Sequence, residues 1–498
     1  MANSIVDLYL ERYPFRGARD GLYELQGQVG DWSPSSLDAY CRALSEQAPQ
    51  GASHDEALQR MAAESERFWY QDLGWHTISP MVYLEAVDPG LYLTRDNATP
   101  QERGKMAAQH AAQVPRLLHQ AKLNLTGPSS AATLRQGAAS AREYVPVYQD
   151  EIPKAFPQAE KVALAAAAAL EGWGAWLEER SAVAPDHLPM GERLFQRMLQ
   201  TGPGLELTPS QLEQLALHEL ERNLEQAHLI RSGAQAQHAS MDDVLEEVRQ
   251  IVSGLRDFLH ENQVVSLPDE FACVVRNSPP GARWSFASMD NPGLFEEERQ
   301  AFFNVTLPDP AWSQKEQDDW MCQFDHAMLH LIALHESFPG HFVHALHMAR
   351  SPSRARKLLR NYAFTEGWAH YCEEMMVDTG YQLPDPASLR SNQVLAALDR
   401  TCRLLASLRL HCAGDELSAV ARLFEQSAYM QPGRALASAR RGSFDPEYGY
   451  YTLGKMIIKQ LRSDLCLPAQ EFHDKILSYG SPPPALLRRT LGLPGSPL

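Results

Sequence analysis

The sequence predicts a mainly α-helical fold with one small β element, on three observations. Apolar residues recur at three- and four-residue spacing from residue 1 to about 265, the period of helices packed on one face. Between 264 and 306 the texture changes: VVSLPDEFACVVRN and RQAFFNVTL are rich in β-branched and aromatic residues, with SPPGARW between them as turn material. After Pro308 helical spacing resumes and continues, with interruptions, to about 465.

The clearest helix is KVALAAAAALEGWGAWLEER (161–180), whose alanine run combines high helix propensity with room for a second helix to approach closely. Residues 441–449, RGSFDPEYG, read as a loop, and SPPPALLRR as a final turn and short helix. No internal repeat or flexible linker divides the 498 residues, so an N-terminal helical lobe over 1–190 and a second lobe over 191–498 are expected to form one continuous structure.

Charge narrows the function. Against 62 acidic residues stand 45 basic ones, a formal net charge of -17, and no long Lys/Arg run interrupts that balance. Binding phosphates requires a positive surface, so neither a nucleic acid nor an anionic membrane is an expected partner. Seven scattered cysteines without a C-x-x-C pair read as reduced thiols. The start of the chain lacks the apolar core of a signal peptide, and no stretch reaches ~18 apolar residues, so a cytoplasmic location is the default expectation.

The chemistry concentrates in LHLIALHESFPGHFVHALH (329–347), which holds five histidines within nineteen residues. His335 and Glu336 end an apolar helical run, and His341 follows six residues after the first histidine. The usual zinc motif H-E-x-x-H places its histidines at i and i+4 on one helix face. An i, i+6 pair in an ideal helix lies about 120° apart, so an unbroken helix cannot deliver both imidazoles to one ion. Pro339, which lacks an N–H, and Gly340, which tolerates unusual dihedrals, provide for a bulge or looped expansion that returns His341 to the face of His335.

Glu336 stands where a zinc hydrolase needs its general base. The third protein ligand is expected from NYAFTEGWAHYCEEMM (361–376), where Glu366 lies 25 residues beyond His341, enough for a second helix to face the first. One zinc ion per chain would then have two histidines, one glutamate and an open position. Glu373 and Glu374 are candidates for carboxylates that orient a ligand histidine from behind.

Other histidines carry competing readings. His326 and His330, at i and i+4, form an alternative metal pair without an adjacent glutamate base, although Asp325 lies beside His326. His344 and His347 continue the face of His341 as cleft-lining or surface residues, and His344 is a candidate for reaching substrate.

HESFPGH and TEGWAHYCE resemble the signatures H-E-x-x-P-G-H and E-G-W-A-x-Y-x-E of bacterial proteins labelled domain of unknown function 885, a family itself similar to thimet-type oligopeptidases and carboxypeptidase Taq. GERLFQRML, FFNVT, DRTCRLLASLRLH, QPGRAL and YYTLGKMIIKQLR extend the resemblance over about residues 190–465. It implies a two-lobed, oligopeptidase-like helical fold with a deep cleft. It also implies His335, His341 and Glu366 on zinc, Glu336 as base, Tyr451 (or Tyr450) as hydrogen-bond donor to a tetrahedral intermediate, and His411 and Arg403 as cleft residues that bind substrate. A Tyr pair ahead of an amphipathic helix is also commonly packed core. The chain departs from the family pattern at Ser407, Arg409 and His344, and in the RGSFDPEYG loop, changes that bear on the substrate pocket and leave the metal motif intact.

The expectation is therefore a gluzincin-type zinc hydrolase cleaving amide bonds of short peptides. Two alternatives remain open: the same site acting on a non-peptide amide or ester in a specialised biosynthetic or detoxification pathway, and a catalytically silent binding protein.

Overall fold

The structure, a computed structural model, describes residues 4–498 apart from 231–240, 269–270, 280–282, 284–285, 298–299, 311, 322–323 and 497. Cys322 and most of the expected SPPGARW turn therefore lie outside the described residues. The fold is mainly helical with a single three-stranded sheet. None of the described helices is long and apolar enough to cross a membrane.

Two compact units divide the chain: Met1–Thr201 with Leu410–Leu417 and Ser443–Asp445, and Gly202–Arg409 with Ser418–Gly442 and Pro446–Leu498. In the first unit, α1 (Pro100–Asn124) and α2 (Ala131–Pro146) both pack against α3 (Glu160–Ser181). Thr99 starts α1 with a capping box to Glu102, satisfying amides that the first turn leaves unbonded. The alanine run of α3 behaves as its composition predicts: Ala163, Ala166 and Ala167 are buried and allow close approach.

The first unit extends past residue 190. Phe195, on the helix Glu192–Thr201, stacks on His411 at 6.3 Å. His187 Nε2 bonds the carbonyl of Leu410 at 2.8 Å, and the Gly191 N–H donates to the carbonyl of His411, also at 2.8 Å. The expected loop over 441–449 is also shorter than its composition suggested, because the helix Pro432–Phe444 runs through its first four residues.

In the second unit the elements that matter for function are α4 (Met241–Glu261), β1 (Ala272–Asn277), β2 (Ala287–Asp290), β3 (Gln300–Val305), α5 (His326–Glu336), α6 (His341–Ala349), α7 (Tyr362–Asp378), α8 (Pro386–Leu408) and α9 (Tyr450–Leu465). The sheet order is β1-β3-β2, with β1 parallel and β2 antiparallel to β3. Because the Thr306 N–H donates to Phe286 O, the alternating antiparallel pattern directs the N–H groups of Ala287 and Met289 away from β3, towards the outer edge.

Helices α7 and α9 cross where two glycines meet. A Cβ on Gly367 would lie 2.4 Å from Gly454 Cα, and one on Gly454 would lie 1.8 Å from Ala363 O. Any side chain at either position forces the helices apart, which explains a glycine in each of the two motifs. Asp325 accepts from the Met328 N–H as the N-cap of α5 and also takes an amide bond from Asn392, so it serves the helix and not a metal.

Candidate metal centre

The six-residue spacing of the histidines is met by a break between two helices. Helix α5 ends at Glu336, residues 337–340 turn, and α6 starts at His341. Gly340 makes this turn possible: a Cβ there would fall 1.7 Å from the carbonyl oxygen of His335. Trp368 on α7 closes the turn from the other side, its indole N–H lying 3.0 Å from Pro339 O and 3.2 Å from Gly340 O. The tryptophan of the E-G-W motif thus clamps the loop that sets the two imidazoles.

His335, His341 and Glu366 converge. Their nearest donor atoms lie within 4.8 Å of one another, the only such group among the described residues. Glu366 Oε2 stands 3.6 Å from His335 Nε2 and 3.5 Å from His341 Nε2, too far for a hydrogen bond to either, and it is buried without another partner. Metal–ligand bonds of about 2.0–2.1 Å in a tetrahedron place ligand atoms about 3.3–3.4 Å apart. The donor set and the two distances from Glu366 therefore fit a zinc ion, which would replace the missing contacts of Glu366.

The charges around the triad are ordered. Burial alone would push His335 down, but the carboxylates of Glu366 and Glu373 outweigh it and hold the imidazole up at about 9. Glu366, despite burial, is held well below the usual carboxylate range by His341 and His335. His335 Nδ1 bonds Glu373 Oε1 at 2.7 Å, leaving Nε2 to face the triad. Glu373 is fully buried and kept ionised mainly by Arg400, with His370 adding to the effect. If the triad holds zinc, Glu373→Gln is expected to lower zinc affinity roughly 10–100-fold while leaving His335, His341 and Glu366 in place, as measured by competition with a chromophoric chelator.

Next to the triad is a cavity of about 630 Å³. His335, Glu336, Arg403 and Tyr451 all line it. Glu336 accepts a hydrogen bond from the outward-facing N–H of Met289 on β2 at 3.1 Å, so the edge strand borders the candidate base. The Tyr451 ring stacks on His335 with centroids 6.3 Å apart, and its hydroxyl accepts from Tyr362 at 3.1 Å. Burial and the nearby Glu366 push the Tyr451 phenol up to about 12, so it keeps its proton. Arg403 forms a two-pronged bond to Asp399 and lies 5.3 Å from the Tyr451 ring.

Three expected site residues lie elsewhere in the second unit, and a fourth belongs to the first. Tyr450 is buried in the core with its hydroxyl unbonded, because it points roughly 100° around α9 from Tyr451. His344 is buried with Nε2 bonded to Gly480 O, and burial pushes it down to about 3, making it a neutral core residue. His411 belongs to the first unit, buried against Phe195 and His187. Glu374 turns away from the histidines to pair with Lys455, Lys459 and Arg222, so it orients no ligand. Arg400, Tyr362 and Met289 join the site although none was a sequence candidate. Only Tyr362 had a local signal, one helical turn before Glu366 on the same face.

A family model described as bacterial protein of unknown function (DUF885) matches residues 14–491. The chain belongs to the DUF885 family. Its fold is shared by two solved structures. One is a candidate lipoprotein of unknown function from Shewanella oneidensis, with TM-score 0.76, 19% identity, and coverage of 98% of this chain and 100% of that one. The other is a candidate lipoprotein from Colwellia psychrerythraea, with TM-score 0.77, 17% identity and 98% of each chain covered. No curated protein matches. Within this DUF885 chain both family signatures, H-E-x-x-P-G-H and E-G-W-A-x-Y-x-E, end at the same cluster, the first on α5 and α6 and the second on α7.

Proposed function

We propose that this DUF885 chain is a zinc-dependent hydrolase of the gluzincin type that cleaves amide bonds of short peptides. One observation carries the reading: Glu366 Oε2 sits unbonded 3.5–3.6 Å from two histidine Nε2 atoms, beside a glutamate that lines a cavity. His335, His341 and Glu366 would hold the ion. When bound, zinc supplies Lewis-acid polarisation of a carbonyl and brings the pKa of water to about 7.

The remaining chemistry belongs to the chain. Glu336 takes the proton of the attacking water and passes it to the leaving amine. Tyr451, protonated at neutral pH, donates to the carbonyl oxygen as it becomes negative. Glu373, held ionised by Arg400, fixes the His335 tautomer. The outer edge of β2, where the Met289 N–H is bonded to Glu336, borders the cavity, and Met328, Leu331, Ile332 and Leu395 give it an apolar wall for a substrate side chain.

The net charge of -17 favours a small substrate over a nucleic acid. Six described cysteines are free thiols, which supports a cytoplasmic location as part of the proposal. Digestion of a peptide library alongside a panel of small amides and esters tests the proposal. Peptide cleavage by the wild type, absent from Glu336→Gln, supports it. Turnover confined to small amides or esters favours the specialised hydrolase, and zinc retention without turnover of any of them favours the binding protein.

A further inference from the structure

A second cavity, about 490 Å³, opens in the second unit on a different part of α5. Helix α4 contributes Glu247, Asp257 and Glu261, helix α5 contributes His326 and His330, and Tyr381 follows α7. Its described lining includes three carboxylates and no lysine or arginine. The cavity therefore favours a cation.

The two histidines are neighbours on one helix face. They stand at i and i+4, so both project from one face of α5. Their ring centroids lie 4.7 Å apart at 73°, close to the 4.9 Å and 89° of the His335–His341 pair. In each ring Nδ1 is already engaged, in His326 by a carboxylate oxygen of Glu247 and in His330 by the Tyr381 hydroxyl at 2.6 Å. Nε2 of each ring has no hydrogen-bond partner among the described residues. Metal-binding histidines are commonly fixed in this way, with one nitrogen held by a carboxylate or hydroxyl and the other presented to the ion.

We propose that His326 and His330 form a second site for a divalent transition-metal ion, bound through Nε2 of each. Glu247 holds the first imidazole from behind, and Glu261 supplies negative charge at the cavity wall, whereas Asp257 is paired with Arg256 at 3.6 Å. Two protein ligands instead of three make this site weaker than the catalytic one, with water completing the coordination. The inference does not depend on the hydrolase reading: it rests on different residues and a different cavity.

Equilibrium dialysis of the full chain against Zn2+ alone, followed by metal analysis, tests it. Wild type is expected to bind two equivalents at saturation, one tight and one weak. His326→Gln should bind only the tight one, and the 44% exposure of the His326 side chain makes this change compatible with folding. Glu247→Gln keeps both imidazoles and should weaken the second equivalent roughly tenfold. His335→Ala should lose the tight equivalent and keep the weak one, which separates failure of the catalytic assignment from failure of this one. Saturation of wild type at one equivalent, or an unchanged weak equivalent in folded His326→Gln, overturns the proposal.

Discussion

Glu336→Gln is expected to lower peptide turnover by about 10²–10⁴ while zinc content stays at the wild-type level. The change removes a proton acceptor and little else: the amide has nearly the same shape and its oxygen still accepts the Met289 N–H. His335, His341 and Glu366 are untouched, so a normal metal content with lost turnover isolates the base. Steady-state kinetics on one cleaved peptide, with metal analysis on the same preparation, decides the matter. A wild-type rate in the variant would assign proton transfer to another group.

Gly340→Ala is expected to have the largest effect on the fold of the site. The added Cβ would lie 1.7 Å from His335 O and 2.6 Å from Leu334 O, both backbone atoms that no rotamer change can move away. Relief requires α5 and α6 to separate, against Trp368, which fastens the turn at Pro339 O and Gly340 O. The strain should lower stability by about 3 kcal/mol or more and remove the tight zinc, because His341 starts the helix that would move. Denaturant unfolding and chelator competition read the two effects. Wild-type stability together with wild-type zinc affinity would show that the turn is looser than its contacts imply.

The parts of the site legible in the sequence are those whose meaning is local. His335 with Glu336, the Pro339-Gly340 step before His341, and Glu366 seven residues before Glu373 are short-range patterns imposed by helix geometry and ligand chemistry. The i, i+6 spacing requires an expansion between the histidines, and the structure supplies it as a complete break between α5 and α6. Illegible were choices that depend on how a helix is rotated or on what packs against it. Tyr450 and Tyr451 are neighbours, and which one meets the cavity follows from the phase of α9, set by the Gly367–Gly454 contact. Glu373 and Glu374 are separated in the same manner, one reaching His335 and the other Lys455. His344 and His411 look available in a sequence, yet each is absorbed into a packed interior by partners remote along the chain. Met289 and Arg400 carry no motif of their own and reach the centre only through the placement of β2 and α8.

Zinc stoichiometry bears most directly on the account. After exhaustive dialysis, wild type is expected to retain close to one tightly held zinc per chain and His335→Ala to retain none. A wild-type zinc content in that variant, or a wild type that holds no zinc after equilibration with it, would contradict the assignment of His335, His341 and Glu366 as a metal centre.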